Sequence, residues 1–165
     1  MKKEVFAING TGGVGKDTFI EFCEEFVEVK NISSVDKIKE AAKVLGWTGS
    51  KEEKDRKMLS DLKKLSVDYN EGPTNYIVNE FEKFKQSNER IMFVHVREAE
   101  EIDKLKNLIN CKTLLITSKR INIIISNRSD GLVLEYKYDE EIKNDGTLEE
   151  LKENAKEFLN KYELI

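Results

Sequence analysis

Short apolar runs alternate along the chain with stretches whose apolar residues recur every three or four positions. Glu4–Asn9 is an apolar run closed by a glycine cluster, the pattern of a buried strand. From Lys16 onward Phe19, Phe22, Cys23, Phe26 and Val27 follow helical spacing, which predicts a helix rising from the glycines and covering that strand. Residues 31–35 read as a second strand, followed by a helix with Ile38, Ala41, Ala42 and Leu45 on one face. Gly46 to Gly49 break it. Ser50 and Glu53 have the spacing of a capping box, opening a helix whose apolar face is Met58, Leu59, Leu62 and Leu65. Gly72 and Pro73 end that segment, and Tyr76, Ile77, Phe81 and Phe84 mark the next helix.

Beyond it the alternation becomes regular. Residues 90–96 predict a strand, 98–109 a helix with Ile102, Leu105 and Leu108 aligned, and Lys112–Thr117 a strand. The stretch 119–130 has no clear period, 136–142 reads as a last strand, and Thr147 with Glu150 forms a second capping box. The final helix carries Leu148, Leu151, Ala155, Phe158, Leu159 and Tyr162. Strands alternating with helices predict an α/β fold, a three-layer, doubly wound parallel sheet of about five strands. No repeat or linker divides the chain, so residues 1–165 are expected to form a single domain.

Composition sharpens this picture in only a few places. With one proline among 165 residues and 36% charged residues, the chain suits a helix-rich fold with a highly solvated surface. A net charge of −4 lacks the basic footprint of a nucleic-acid binder. No apolar run approaches the ~20 residues of a membrane span, and the first residues enter a strand directly, without a leader. Cys23 and Cys111 lack paired or metal-ligand spacing and read as reduced thiols of a cytoplasmic protein.

The chemistry concentrates in Gly10-Thr11-Gly12-Gly13-Val14-Gly15-Lys16-Asp17-Thr18. As G-x-x-x-x-G-K this is a phosphate-binding P-loop. As G-x-G-x-x-G it also satisfies a dinucleotide fingerprint, with Asp36 about 20 residues on where a ribose-binding acid would stand. Both use glycines to bring backbone close to phosphate and a helix N-terminus to attract it. Lys16 favours the P-loop, because its ammonium reaches β- and γ-phosphates, a role with no counterpart in a dinucleotide fold. Asp17 occupies the position where a hydroxyl residue usually coordinates Mg²⁺. Its carboxylate, followed by Thr18, keeps a metal site there.

Gly15-Lys16-Asp17-Thr18 resembles the P-loop variant of phage deoxynucleoside monophosphate kinases and animal-type phosphomevalonate kinases. Weaker likenesses accompany it: His95-Val96-Arg97 stands where that group has Asp-Val-Arg, Ser126 to Gly131 resemble its segment before the last strand, and Tyr138 to Leu151 its last strand and loop. The resemblance implies a nucleoside-monophosphate-kinase-like P-loop fold, ATP and Mg²⁺ as cofactors, a substrate-binding helical segment at about 36–88 and a lid at about 118–131. It implies ATP contacts along Gly10–Thr18 and at Asn144 and Gly146. It also implies catalytic roles for Lys16, Arg97, Arg120 and Arg128, since arginines closing over a transferring phosphoryl group offset its charge.

His95 replaces the group's acidic residue and, as a lone histidine on a strand, reads first as a core residue. In the middle segment Asp36, Arg56 and Arg97 are the acceptor-binding candidates. Arg56 reads equally well as an exposed helix charge, and Trp47 either as a base-stacking ring or as a plug in the helix turn. The function expected is transfer of the γ-phosphate of ATP to a small phosphorylated acceptor, a nucleoside or deoxynucleoside monophosphate, by a monomer or homodimer. A non-catalytic or weakly hydrolysing nucleotide-binding module is the alternative, and an oxidoreductase survives only through the glycine overlap.

Overall fold

In the computed structural model the strands form one parallel sheet ordered β2-β3-β1-β4-β5. The structure describes residues 1–121 and 128–165, leaving the side chains of 128–131 aside. The strands are β1 (Glu4–Asn9), β2 (Val29–Ser33), β3 (Ile91–His95), β4 (Lys112–Thr117) and β5 (Glu140–Lys143). The helices are α1 (Lys16–Glu24), α2 (Asp36–Val44), α3 (Glu53–Asn70), α4 (Gly72–Gln86), α5 (Ala99–Ile109), α6 (Arg128–Glu135) and α7 (Leu148–Lys161).

β1 lies at the centre because both of its faces are apolar. Phe6 and Ile8 join Phe19, Phe93, Leu114, Ile116 and Phe158 under α1 and α7. Val5 and Ala7 join Ile77, Met92, Val94, Ile102 and Leu105 under α4 and α5. Side chains alternate across a strand, so near-continuous apolar runs are what a sheet covered on both faces requires. Burial also raises the Cys23 and Cys111 thiols, to about 12 and about 11, which leaves both as inert packing groups.

The deviations from the pattern have local causes. Ser50 caps nothing: Glu52 is the N-cap of α3 without a side-chain cap bond, and the Ser50 hydroxyl instead accepts from the Glu52 amide at 3.3 Å. The α3 face reaches no core, since no residue of this helix is buried and Leu65 is 66% exposed. On α5 the buried row ends at Ile109, and Leu108 turns outward. The last strand starts at Glu140 because Tyr136 and Tyr138 are taken up in packing against the α4–α5 face. Within the stretch without a period, α6 begins at Arg128; Ser126 and Asn127 lie outside the described residues. The box at Thr147 forms in full: the Glu150 amide donates to Thr147 Oγ1 at 3.2 Å and the Thr147 amide to Glu150 Oε2 at 2.6 Å. That reciprocal bond leaves no space for a Cβ at residue 146, which explains Gly146 without any ligand.

Candidate active site

The chain leaves β1 through Asn9, whose buried amide ties three segments together. Its Oδ1 accepts from the Gly10 amide at 2.9 Å, and its Nδ2 donates to the Arg97 carbonyl and to Tyr138 Oη at 3.2 and 3.0 Å. Gly10 then takes φ 149°, with a Cβ there only 2.5 Å from the Ile116 carbonyl oxygen. Gly15 is the N-cap of α1 at φ 97°, and the Asn144 amide crosses above it to donate to the Val14 carbonyl at 2.9 Å. Between these points the loop wraps Lys16, whose ammonium donates to the Gly10 and Thr11 carbonyls at 2.7 and 3.2 Å. A cation held inside a glycine loop at a helix N-terminus, where backbone N–H groups lack intrahelical partners, forms an anion cradle.

The cradle opens into a cleft of about 600 Å³. Gly10, Gly12, Gly13, Lys16 and Asp17 line one side, and Asp36, Lys39, Lys51, Lys63, His95 and Arg97 the other. It sits past the carboxyl ends of β1 and β3, at the point where the sheet order reverses, the usual place for ligands in open α/β sheets. Asp36 opens α2, and its carboxylate accepts from the Ser33 amide at 2.8 Å and from Tyr76 Oη at 3.3 Å. Burial is the main cause that lifts the Tyr76 hydroxyl to about 12, keeping it a neutral donor.

His95 is not a core residue. It lines the cleft and approaches Asn31 Oδ1 through Nε2 at 2.9 Å. Burial lowers its pKa below the ordinary histidine value, with Asp17 acting against that shift and Lys16 with it. The ring is therefore neutral at pH 7.

The remaining candidates are dispersed. Arg56 is exposed on α3 and does not line the cleft; Lys39, Lys51 and Lys63 stand there instead. Lys39 was legible as a position one turn after Asp36 on the same helix face. Lys63 had no signal, since only the packing of α3 against α2 and α4 brings it to the cleft, where it pairs with Glu101 at 2.9 Å. Trp47 plugs the end of α2, donating from Nε1 to the Ser50 carbonyl at 2.9 Å. Thr18 lies outside the cleft lining. Arg120 donates to the Asn144 carbonyl and Oδ1, both at 3.1 Å, on the far side of the loop. Asn144 and Gly146 line a second cavity of about 440 Å³. Arg128 opens α6, and its side chain lies outside the described residues.

For Mg²⁺ the donor set is small: no group of three or more His, Cys, Asp or Glu residues could hold an ion among the described residues. Mg²⁺ usually takes one or two carboxylates and completes its shell with phosphate oxygens and water. Asp17, exposed in the cleft beside Lys16, fits that requirement. No helix among the described residues is long and apolar enough to cross a membrane.

A glycine cradle on the first strand of a parallel five-stranded sheet, with helices on both faces, is the architecture of P-loop kinases. Among solved structures the chain is similar to a dephospho-CoA kinase from Campylobacter jejuni, with a TM-score of 0.57 and 18% identity over 97% of each chain. It is similar to a sugar kinase from Janibacter sp., with a TM-score of 0.53 and 14% identity over 97% of this chain and 95% of that one. A shikimate kinase from Bacteroides thetaiotaomicron matches at a TM-score of 0.51 and 14% identity, over 96% of this chain and 98% of that one. Identities this low establish the fold alone. No protein-family model matches the sequence, and no curated protein does.

Proposed function

We propose that this chain is an ATP-dependent phosphotransferase acting on a small phosphorylated acceptor, a nucleoside or deoxynucleoside monophosphate. The observation that carries this reading is the continuity of one cleft from the Lys16 cradle to the basic wall formed by Lys39, Lys51 and Arg97. Loop amides and Lys16 bind the triphosphate, and the opposite wall holds an anionic acceptor. Phosphoryl transfer asks the protein mainly for positioning and charge, which a cradle faced by cations supplies. Asp17, with Thr18 behind it, is the group that would hold Mg²⁺, which when bound neutralises charge on the phosphates. Arg97, which lines the same cleft, would offset charge on the transferring group. Arg120 and Arg128 belong to the 118–131 segment that would close over the phosphates, and Asn144 and Gly146 to the loop beside the nucleotide.

The test is ADP formation from ATP and Mg²⁺ with a panel of nucleoside and deoxynucleoside monophosphates. Acceptor-dependent turnover that disappears in Lys16→Ala is expected. ATP affinity unchanged in that variant, measured by titration calorimetry, would refute the cradle. A second reading, a binding or weakly hydrolysing module, is favoured by His95 standing where a carboxylate is expected. ATP binding with only slow, acceptor-independent hydrolysis is its signature.

A further inference from the structure

His95 is the single histidine of the chain and ends β3, between the edge strand β2 and the central β1. Its Nε2 lies 2.9 Å from Asn31 Oδ1. An amide oxygen only accepts, so the ring donates from Nε2, and in a neutral imidazole this leaves Nδ1 as a bare lone pair. Nδ1 has no hydrogen-bond partner among the described residues. Nor is it one of the sealed, unsatisfied side-chain atoms, which are Asp55 Oδ2 and Glu101 Oε2. It is therefore open to the cleft that the ring lines together with Lys16, Asp17, Asp36 and Arg97. The charges acting on the ring alternate in sign: Asp17 and Lys16 from α1, Asp36 and Lys39 from α2. Burial is the largest influence and favours the neutral form.

A tautomer-locked, neutral imidazole facing the reacting end of a phosphotransferase cleft has a definite chemical use. A phosphate monoester, with a second pKa near ~6, is already mostly dianionic at pH 7 and has no proton to surrender. A hydroxyl keeps its proton until the transition state and gains from a positioned base.

Resting on the phosphotransferase reading above, we propose that Nδ1 of His95 is the general base and that the acceptor atom is a hydroxyl oxygen of the phosphorylated acceptor, not its phosphate. In the step, the acceptor O–H bond breaks and its proton passes to Nδ1. The oxygen forms a bond to the γ-phosphorus of ATP, and the bond from that phosphorus to the β–γ bridging oxygen breaks, so that ADP leaves with the electron pair. The imidazolium formed is balanced by Asp36 and returns its proton to solvent. Asn31 acts as a positioning residue, holding the ring in the productive tautomer.

The experiment is phosphorus NMR of the products formed from ATP, Mg²⁺ and the monophosphate panel. Transfer to a hydroxyl gives two phosphomonoester resonances without phosphorus–phosphorus coupling. A further coupled diphosphate, formed from the acceptor and distinct from the co-product ADP, overturns the proposal and leaves the phosphotransferase reading intact. His95→Gln is expected to lower kcat by roughly 10²–10⁴-fold with the KM for ATP nearly unchanged; an unchanged kcat overturns the proposal. Asn31→Ala keeps the base but frees the ring, and a smaller fall in kcat at constant KM is expected. Independently of turnover, nitrogen-15 spectra of the one histidine at pH 7 should show Nε2 protonated and Nδ1 bare. A ring protonated at Nδ1 overturns the proposal, whereas unchanged ATP affinity in Lys16→Ala overturns the reading beneath it.

Discussion

Gly10, Gly12, Gly13 and Lys16 reach the cleft from a single turn of chain, whereas the opposite wall draws Asn31, Asp36, Lys39, Lys51, Lys63 and His95 from β2, β3, α2, α3 and the loop ahead of α3. The first group is anchored on the most deeply buried part of the molecule: β1 is flanked by β3 and β4, and Phe6, Phe19 and Phe93 are fully buried behind it. The second hangs partly on α3, a helix of 18 residues with none buried. The glycine loop is thus set on rigid scaffold, and the opposite wall of the cleft partly on an element that can shift at low cost.

Five outcomes would break or sharpen this contrast. The largest is expected behind the cradle: Phe93→Ala should cost about 3–5 kcal/mol in denaturant unfolding, as truncation of a fully buried phenyl group leaves a cavity. Next comes Lys16→Ala, which removes a charged phosphate contact. ATP affinity should fall by about 1.5–3 kcal/mol in calorimetry, while the unfolding midpoint stays near wild type. Asn144→Ala deletes the bond to the Val14 carbonyl that clasps the loop from α7's side, and should cost about 1 kcal/mol of stability together with a weaker ATP affinity.

A gentler effect follows from His95, whose folded-state pKa is depressed. The unfolded chain then binds more protons than the folded one below about pH 6.5, so stability is complete above that value and declines as pH falls through the folded pKa. Comparing urea midpoints of wild type and His95→Gln between pH 7.5 and 5 should isolate this component as the difference in slope. The smallest effect belongs to α3, which supports the wall opposite the glycine loop. Leu65→Ala, at a position 66% exposed, should change stability by less than about 0.5 kcal/mol. A loss comparable to that of Phe93→Ala would mean that α3 is as firmly built as the cradle.

Local rules reached far in this chain. The glycine loop, β1, β4 and the capping box at Thr147 were legible because each is determined within a few residues, by glycine geometry, by an unbroken apolar run, or by one reciprocal pair of side-chain bonds. The same reasoning misplaced what depends on a partner. Ser50 has the spacing of a cap, yet α3 begins later, and the apolar row of α3 has no core to meet. Arg56 has the right charge but stands about two turns before Lys63 along α3, and Lys51 and Lys63 line the cleft that it does not reach.

By itself the sequence determined a parallel α/β sheet, the glycine loop after its first strand and the helix that Lys16 and Asp17 open, because these follow from residues close together in the chain. Only the tertiary structure decided that β3 pairs directly with β1, so that Ile8 stands beside His95 and the histidine faces the cleft and not the core. The placement of His95 between Asn31, Asp17 and Asp36 is a matter of strand order and helix packing. Contacts between residues so distant along the chain leave no periodic trace, since the energy that selects them comes from burying both faces of one sheet.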